Sequence, residues 1–415
     1  MGPLCPRNSG SLSTRPGLCV KLLFTLTAYP PSTGGAQSLM HRLARELLTR
    51  HAVQVVTQWD TARTDWLFGT TLNAPAPARA YSVDGVPVQR ITLSGATRNR
   101  LRPWVWLYFP LQRWALPRLA RALAEEIAPY AERADLIHNC RIGREGLSYG
   151  SLLAARRHGL PFILTPVHHP RWGGWLHRHY HRLYREADAV IALTESERRT
   201  LIELGVRPER VHVTGMGPAL AERGDGARFR AQHGLGAAPM VLFVGQKYAY
   251  KGLATLLAAV PHVPEARFVF IGPRTSYSRR LFAQVREPRV LELDAVDVQT
   301  KTDAFAACDV FCLPSTQESF GGVFTEAWSL GKPVVGADIP AVREVIAEGE
   351  DGFCVPARPA ALAERLRYLL DHAEVRAAMG ERGRAKVAAR FSWPRLAELT
   401  AAVYQSVWRG RGAGS

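Results

Sequence analysis

The segment DVFCLPSTQESFGGVFTEAWSLGKPVVG, residues 309–336, contains the structural unit from which this chain is built. Asp309–Leu313 is an apolar run typical of a buried strand, and the apolar spacing in Phe324–Leu330 predicts a helix. Pro333–Gly336 then predicts a second buried strand. We expect the two strands to be parallel, because the helix between them returns the chain to the edge of the sheet where it started.

The same alternation runs outward from this segment in both directions. Apolar runs without polar gaps predict strands that are covered on both faces, and amphipathic stretches between them predict the covering helices. The predicted strands include Val20–Ala28, Val53–Thr57, Pro161–Thr165, Met240–Val244 and Arg267–Ile271. The sequence therefore predicts an α/β fold with two doubly wound, Rossmann-like domains that face a cleft, with ligands at the carboxyl ends of the strands.

Glycine, proline, alanine and arginine interrupt the periodicity at Gly215–Ala238, which indicates a boundary between the two domains. We predict a flexible tail at 1–19, a first domain on the acceptor side at 20–218 and a second domain at 219–391. A C-terminal helix at 392–410 is predicted to pack toward the first domain, because its apolar stripe has no partner after it in the chain.

Composition excludes several classes of protein. Of the 415 residues, 47% are apolar and 21% charged, which excludes a mostly disordered chain. Six cysteines without a CxxC pair favour neither a disulfide scaffold nor a zinc site. The apolar runs are shorter than the ~20 residues that a spanning helix needs. We therefore expect a cytoplasmic protein, with peripheral attachment to the inner face of the membrane as an open option.

The net charge of +17 is distributed unevenly. Residues 1–218 hold 28 basic and 15 acidic residues, whereas residues 219–415 hold 25 and 21. This excess of positive charge indicates an acidic partner, such as nucleic acid, phosphate or an anionic membrane. The alternative explanation is a general drift of composition toward arginine. No compact basic run accompanies a nucleic-acid reading motif, so we expect no nucleic acid.

The strongest chemical signal is the pair Glu318 and Glu326. Gly321 and Gly322 lie between them and allow the backbone to pass close to a ligand at the start of a helix, where N–H groups bind phosphate or sugar oxygens. Carboxylates at such a place repel phosphate, so they are useful as acceptors for hydroxyl groups. A nucleotide sugar carries both hydroxyls and phosphates. Taken singly, each glutamate could equally be an ordinary helix-terminal or solvated residue.

Here the sequence resembles the retaining glycosyltransferases of family 4, which have the GT-B fold. The resemblance covers residues 20–410 and rests on an ordered set of motifs: Gly34-Gly35, Val244-Gly245 followed by Lys251-Gly252-Leu253, Glu318-x7-Glu326 with Ser319-Phe320-Gly321-Gly322 inside it, Gly331-Lys332-Pro333-Val334-Val335, and Phe391-Ser392-Trp393. It implies transfer of a sugar from a nucleotide diphosphate to a glycan or lipid-linked acceptor in the synthesis of envelope or extracellular glycans.

The resemblance also implies a role for each matched residue. Glu326 would hold the donor ribose hydroxyls, and Glu318 would contact the transferred sugar. Lys251 would bind the diphosphate and neutralise the charge that develops as the nucleotide leaves, and Gly35 would let the first domain approach the same phosphates. Further donor contacts would come from the backbone N–H groups of Phe320, Gly321 and Gly322. A lysine and a helix terminus suffice for this electrostatic task, so neither a metal nor a cofactor is expected.

One position departs from the family pattern. Family members commonly carry arginine directly after the glycine that ends the second-domain strand, whereas this chain has Gln246, followed by Lys247. Either Lys247 replaces the missing cation, or the donor is held more weakly. Neighbouring residues of a strand point in opposite directions, so the replacement requires Lys247 to lie in a loop.

Several histidines are candidates for contact with the sugar or the acceptor. The family often has a histidine after a first-domain strand, and here the loop after Pro161–Thr165 leaves His168 and His169 open, with His169 preferred. His138 ends another strand and is a further candidate. His177, His179 and His181 resemble a metal cluster, but alternate residues of a helix lie on different faces, which argues against one.

The stretch from Arg98 to Arg121 interleaves arginines with Trp104, Trp106, Tyr108, Phe109 and Trp114. Such a stretch fits a membrane surface, with aromatic rings at the headgroups and arginines toward anionic lipid. It equally fits a helix edge that is buried while its arginines reach out to solvent.

Two alternatives to a transferase remain open at this point. The first is a non-catalytic protein of the same fold that binds nucleotides or polyanions, with the positive charge as its working feature. The second is a nucleotide-sugar epimerase, which shares the fold but lacks the Glu-x7-Glu spacing.

Overall fold

A computed structural model describes residues 19–61, 71–72, 77–141, 146–169 and 173–412, so nearly all of the predicted tail lies outside the described residues. The chain forms two compact units. Unit 1 takes the described residues within Met1–Ala192, Arg198–Thr214 and Ala397–Ser415, and unit 2 comprises Leu193–Glu197 and Gly215–Leu396. The main division falls four residues before the predicted boundary at 218/219.

Unit 1 contains an eight-stranded sheet in the order β3-β4-β2-β1-β5-β6-β7-β8. Its strands are β1 (Lys21–Ala28), β2 (Ala52–Trp59), β3 (Arg79–Val83), β4 (Val86–Arg90), β5 (Leu136–Cys140), β6 (Phe162–Thr165), β7 (Ala189–Ala192) and β8 (Val211–Val213). Only the edge strand β3 runs antiparallel to its neighbour, and in the centre Phe24 pairs with Val55 on one side and His138 on the other. β1, β5, β6 and β7 are buried along almost their whole length, as their apolar sequences predict.

Helices cover this sheet and bury apolar side chains against it. They are α1 (Gly35–Leu47), α2 (Gly95–Trp106), α3 (Gln112–Ala131), α4 (Gly146–Arg157) and α5 (Arg178–Glu186), followed by α6 (Glu195–Glu203), whose residues are divided between the units. α3 and α4 supply much of the core through residues such as Leu119, Leu123 and Leu152. Helices wound between parallel strands are the arrangement that the sequence predicts for this half of the chain.

Unit 2 contains a six-stranded parallel sheet in the order β11-β10-β9-β12-β13-β14. Its strands are β9 (Met240–Val244), β10 (Arg267–Ile271), β11 (Val290–Leu293), β12 (Val310–Leu313), β13 (Val334–Ala337) and β14 (Gly352–Val355). Its helices are α7 (Gly226–Gln232), α8 (Leu253–Ala259), α9 (Ser276–Phe282), α10 (Val298–Ala307), α11 (Val323–Ser329), α12 (Pro340–Val345), α13 (Pro359–Asp371) and α14 (Ala373–Lys386). Both units are therefore doubly wound α/β domains, as predicted.

The chain ends in a long helix, α15 (Trp393–Gly412), where the sequence predicts one at 392–410. From Ala397 onward this helix belongs to unit 1. Its Tyr404 is buried there, and the tyrosine hydroxyl lies 2.7 Å from Nδ1 of His138 on β5. None of the helices in the described part of the chain has the length and apolar composition to cross a membrane.

Candidate functional site

The site lies in unit 2, at the point where the order of its strands reverses. The chain runs outward from β9 through β10 to β11 and then returns, so that β12 pairs with β9 on the other side. At such a switch point the connections leave the sheet on opposite faces and open a crevice beyond the carboxyl ends of the two strands. The segments 245–252 and 314–322 follow these two strands, and they contain most of the predicted donor-binding residues.

Backbone hydrogen bonds hold these two segments together. The Thr316 N–H donates to the Tyr250 carbonyl at 2.8 Å, and the Ser315 hydroxyl donates to the same oxygen at 3.3 Å. Gly252 adopts a left-handed conformation with φ of 78°, and a Cβ there would lie 2.2 Å from the Pro314 carbonyl oxygen. Glycine is thus required where the first segment passes the second, and Lys251 is carried against the loop that contains Glu318.

Lys251 and Glu318 form an ion pair across these segments. Nζ of Lys251 donates to Oε1 of Glu318 at 2.5 Å, and the side chains are only 16% and 7% exposed. A charge-assisted bond is strong in such a poorly solvated place. An ammonium carries three N–H donors, so Lys251 can bind a further anion while it keeps this contact. The structure thus brings together the two side chains predicted to act on the diphosphate and on the sugar.

Glu326, in the first turn of α11, has a different partner. Nζ of Lys301 on α10 donates to Oε1 of Glu326 at 2.7 Å, and the Ala219 N–H donates to the same oxygen at 3.3 Å. The carboxylate is 6% exposed, and its second oxygen, Oε2, is buried with no hydrogen-bond partner among the described residues. An unsatisfied buried oxygen of this kind costs about 1–3 kcal/mol, which a hydroxyl donor would recover.

The glycine turn between the two glutamates is shaped by packing. The ring of Phe320 is buried and meets the ring of Phe391 edge-on, with centroids 5.2 Å apart. Gly321 has φ of 80°, and a Cβ there would lie 2.5 Å from the Phe324 ring. Gly322 caps α11 and would contact Met216 if it carried a side chain. The Phe324 N–H donates to the Gly321 carbonyl at 2.9 Å and the Thr325 N–H donates to the Gly322 carbonyl at 3.1 Å, so the turn leads directly into the first hydrogen bonds of α11.

Lys247 has different partners from Lys251. Its side chain is completely buried, and Nζ donates to Oε1 of Glu292 at 2.7 Å and to the Leu293 carbonyl at 2.6 Å. Burial lowers the pKa of Lys247, while the contact with Glu292 opposes that shift. Oε2 of Glu292 also accepts from Arg274 at 2.9 Å. Lys247 could contact a phosphate only if this pair opened. Gln246 is half-buried beside it, and its role at the donor stays a prediction.

In unit 1, Gly35 begins α1 after the loop that follows β1. The strand order of unit 1 also reverses, between β1 and β5, so Gly35 lies on the corresponding edge of its own sheet. A Cβ at Gly35 would meet no atom within 4 Å, which leaves open space beside the backbone. The prediction that donor phosphates approach this backbone stays a prediction.

His138 is a structural residue, which corrects the prediction that it contacts sugar or acceptor. It is completely buried, with Nδ1 2.7 Å from the Tyr404 hydroxyl and Nε2 2.8 Å from the Thr165 hydroxyl. Both ring nitrogens are therefore engaged inside the core of unit 1. Burial lowers the pKa of His138 to about 3, so the ring is neutral at physiological pH.

This buried histidine gives a pH dependence of stability. Its pKa is about 3 in the folded protein against 6.5 ordinarily, so the unfolded chain takes up a proton first as the pH falls. The stabilising contribution is complete above about pH 6.5 and is lost toward pH 3, by about 1.4 kcal/mol per pH unit. We expect the Tm of the wild type to fall by a few degrees more than that of His138→Asn between about pH 6 and about pH 5. Equal falls in both proteins, measured by scanning calorimetry, would contradict the assignment.

The two remaining histidines follow β6 in unit 1. His168 is buried, with Nδ1 3.2 Å from the Tyr184 hydroxyl, and burial together with the charge of Arg141 lowers its pKa to about 3. His169 is more exposed than His168. Contact of either residue with a sugar or acceptor stays a prediction. Among the described residues, no group of three or more His, Cys, Asp or Glu side chains is arranged to hold a metal ion.

Two family models match the chain. The model for glycosyl transferase 4-like domains matches residues 34–217, and the model for group 1 glycosyl transferases matches residues 238–372. The chain belongs to the family 4 type of glycosyltransferases. Each match falls almost wholly within one of the two doubly wound domains.

Curated relatives of the chain are also named as glycosyltransferases or mannosyltransferases. The chain is 32% identical to the D-inositol 3-phosphate glycosyltransferase of Xylanimonas cellulosilytica over 55% of this chain and 59% of that protein. It is 35% identical to the phosphatidyl-myo-inositol mannosyltransferase of Mycobacterium tuberculosis over 42% of this chain and 48% of that protein. The chain thus spans 48–59% of the length of these relatives.

Solved structures of glycosyltransferases share the fold. The Anabaena protein Alr3699/HepE, crystallised with UDP and glucose, has a TM-score of 0.73 at 22% identity, covering 93% of this chain and all of that one. Sucrose-phosphate synthase from Thermosynechococcus elongatus has a TM-score of 0.75 at 19% identity, covering 94% of this chain and all of that one. At these identities the similarity establishes the fold, which is that of the GT-B glycosyltransferases.

Two features of the site were missed in the sequence. Lys301 lies in a helix with no motif around it, and only the fold brings it to Glu326. Glu292 and Arg274, which hold Lys247, come from the end of β11 and the loop after β10. Residues 292–303 contain four acidic residues and one lysine, and this mixture gives no signal of these pairings, since charged residues are usually solvated.

Proposed function

We propose that this protein is a retaining glycosyltransferase that moves a sugar from a nucleotide diphosphate donor to a glycan or lipid-linked acceptor. The observation that carries the proposal is the buried, unpartnered Oε2 of Glu326 at the switch point of unit 2. It lies eight residues along the chain from Glu318, whose carboxylate is paired with Lys251. One acceptor for hydroxyls and one cation for phosphate, both poorly solvated, fit the two ends of a nucleotide.

Glu326 is suited to a ribose. Because Lys301 and the Ala219 N–H both use Oε1, the carboxylate is fixed in orientation, and Oε2 is left to accept from a neutral donor. A hydroxyl is such a donor, and a vicinal diol offers two side by side. A phosphate at this place would be repelled by the carboxylate. The ribose of a nucleotide, held by its hydroxyls, supplies the required chemistry.

Lys251 is suited to the diphosphate. Transfer breaks the bond between the sugar and the terminal phosphate, and negative charge then builds up on the nucleotide diphosphate. A fixed ammonium stabilises that charge most where water is scarce. Glu318 orients the ammonium before the donor binds and then accepts hydroxyls of the transferred sugar. Because Lys251 supplies a fixed positive charge at this site, we propose that transfer proceeds without a metal. Retention at the sugar carbon is proposed from the resemblance to the retaining glycosyltransferases of family 4.

The acceptor is proposed to be anionic or lipid-linked. The names of two relatives describe acceptors with inositol phosphate groups, which are both polyhydroxylated and negatively charged. The surplus of positive charge in residues 1–218 complements such acceptors. This supports a role at the cytoplasmic side of the membrane in the synthesis of envelope or extracellular glycans.

A panel of nucleotides and nucleotide sugars tests this proposal. We expect one nucleoside diphosphate sugar to raise the Tm of the full chain strongly, and incubation with that donor and candidate acceptors to yield a glycosylated product. A nucleotide-sugar epimerase would instead interconvert the sugar without any acceptor. A polyanion-binding protein would be stabilised equally by heparin or inorganic polyphosphate. Either result would overturn the proposed transfer.

Lys301→Met is expected to reduce the affinity for the nucleotide about tenfold to a hundredfold, because one charge-assisted bond orients the carboxylate that holds the ribose. Isothermal titration calorimetry with the best nucleoside diphosphate measures this change. The loss should be smaller with the matching 2′-deoxynucleotide, which has one hydroxyl fewer for Glu326 to hold.

Lys386→Met is the matched control for this variant. Lys386 pairs with the buried Asp351 in the same unit, so its loss also breaks a lysine–carboxylate pair without touching the crevice. We expect this control to lower the Tm while nucleotide affinity is retained. If Lys386→Met weakened nucleotide binding as much as Lys301→Met, the effect would reflect general destabilisation of unit 2, and the role assigned to Lys301 would be wrong.

A further inference from the structure

Exposed apolar side chains are concentrated in two short segments of unit 1. Six of the nine large apolar side chains that are exposed in the described residues lie at 106–114 and 175–176. Three of them are tryptophans: Trp106 is 68% exposed, Trp114 52% and Trp175 62%. Large apolar residues clustered on a surface mark an interaction site, whereas scattered ones do not.

The fold joins these two segments into one surface, which we call the tryptophan–arginine surface (residues 98–118 and 175–178). The Gln112 side-chain amide, at the start of α3, donates to the Leu176 carbonyl at 3.3 Å. Other side chains of the same stretch are buried: Leu101 and Val105 on α2, and Tyr108 in the connection between α2 and α3. Trp106 on α2 and Trp114 on α3 are therefore not part of this buried set.

The charge around these rings has one sign. Residues 91–124 and 173–185 together contain nine arginines and no aspartate, glutamate or lysine. Three of the arginines lie over tryptophan rings. The guanidinium carbon of Arg118 is 3.8 Å from the ring centroid of Trp104, that of Arg178 is 3.8 Å from Trp175, and that of Arg113 is 5.3 Å from Trp114. Stacking of this kind keeps a positive charge beside an apolar ring.

We propose that the tryptophan–arginine surface binds the headgroup region of an anionic membrane. Tryptophan prefers the boundary between hydrocarbon and water, and arginine binds lipid phosphates bidentately. Exposed Leu107, Phe109 and Leu176 between the rings favour lipid over nucleic acid, since they can enter an acyl layer but cannot read a phosphate backbone. The inference rests on unit 1 alone and goes beyond the proposed transfer reaction.

Co-sedimentation of the full chain with vesicles tests this proposal. We expect binding to vesicles of phosphatidylcholine with phosphatidylglycerol, weaker binding at high salt, and little binding to phosphatidylcholine alone. Near a membrane each arginine contributes about fivefold in affinity, so Arg100→Gln, Arg113→Gln and Arg118→Gln combined should lower binding on the order of a hundredfold at low salt. The same three substitutions at Arg280, Arg286 and Arg367 of unit 2 form the charge-matched control and should leave vesicle binding nearly unchanged.

A second set of variants tests the contribution of the exposed tryptophans to vesicle binding. Trp106→Ser, Trp114→Ser and Trp175→Ser combined should abolish the binding that remains at high salt, and Trp175→Ser alone is the fallback should the triple variant fail to fold. Both sets of variants should retain the Tm rise with nucleotide, which separates this surface from the donor site. The proposal would be overturned if the control set lost vesicle binding equally or if the wild type did not bind anionic vesicles. It would also be overturned by tight binding to duplex DNA with none to vesicles, or by a dimer that the tryptophan variant dissociates.

Discussion

Glu326→Gln is expected to lose about a hundredfold in affinity for the nucleotide sugar and to lose transfer altogether. Lys301 and the Ala219 N–H both require an oxygen acceptor, so the amide oxygen must take the place of Oε1. The NH₂ group then replaces Oε2, and a donor faces the ribose hydroxyls where an acceptor stood. Loss of hydrogen bonds from hydroxyls to a charged acceptor is worth about 1.5–3 kcal/mol each. Calorimetric titration with the nucleotide and a transfer assay measure the two losses.

Asp351→Asn is the control for this substitution. Asp351 is also a buried carboxylate with a lysine partner, and its backbone carbonyl accepts from Trp328 on α11, the helix that carries Glu326. The control therefore weakens the surroundings of α11 without altering the acceptor at Oε2. We expect a lower Tm with unchanged nucleotide affinity. Full transfer activity in Glu326→Gln would disprove the assignment of the site.

The second large effect is expected from Lys251→Met, which should lower kcat by about 10²–10³. The ammonium stabilises charge that develops only as the sugar–phosphate bond breaks, so the rate should fall more than the affinity for the donor. The substitution also leaves Glu318 without its cation, and the Tm should fall. Steady-state kinetics with the best donor, together with direct binding measurements, separate the loss of rate from the loss of affinity.

Lys251→Arg distinguishes charge from shape at this position. Arginine keeps the positive charge and can still pair with Glu318, so we expect it to restore the Tm and to recover part of kcat. Lys386→Met, which breaks a pair on the other side of α11, should lower the Tm with kcat retained. A kcat in Lys251→Met no lower than in Lys386→Met would show that Lys251 serves stability alone.

The fold was predictable because buried parallel strands have continuous apolar sequences. In the segment 309–336 the predicted strand Asp309–Leu313 is β12 (Val310–Leu313), and the predicted helix Phe324–Leu330 is α11 (Val323–Ser329). Apolar periodicity of this kind can be recognised in the local sequence without knowledge of the contacts that the fold makes. The glycine turn was predictable for the same reason, since a left-handed residue such as Gly321 has few alternatives.

The pairings of polar and charged side chains were not predictable, because they join parts of the chain that are distant in sequence. Lys301 and Glu326 are 25 residues apart, Lys247 and Glu292 are 45 apart, and His138 and Tyr404 are 266 apart. A histidine at the end of a strand has the same sequence signature whether it faces a ligand or a buried tyrosine. His138 lies in the core because β5 is a central strand between β1 and β6 and because Tyr404 of α15 contacts its ring.

The aromatic stretch in unit 1 shows the same limit. Sequence left a buried helix edge and a membrane surface as alternatives, and in the structure the stretch contains both buried and exposed aromatic side chains. Tyr108 is buried, whereas its near neighbours Trp106 and Phe109 are exposed. α2 contains Pro103 and ends at Trp106, and Leu107–Leu111 separates it from α3, so a single helical periodicity does not run through the stretch. The second part of the surface, at 175–178, comes from a distant segment with no aromatic periodicity of its own.

Calorimetric titration of the wild type and Glu326→Gln with a nucleoside diphosphate and its 2′-deoxy analogue is the most direct test of the donor site. If Glu326 holds the ribose hydroxyls, the wild type should prefer the ribonucleotide by about tenfold or more, and the variant should bind both forms equally weakly. Equal affinity of the wild type for the two nucleotides, or a preference that survives in Glu326→Gln, would contradict the central claim that this carboxylate recognises the donor.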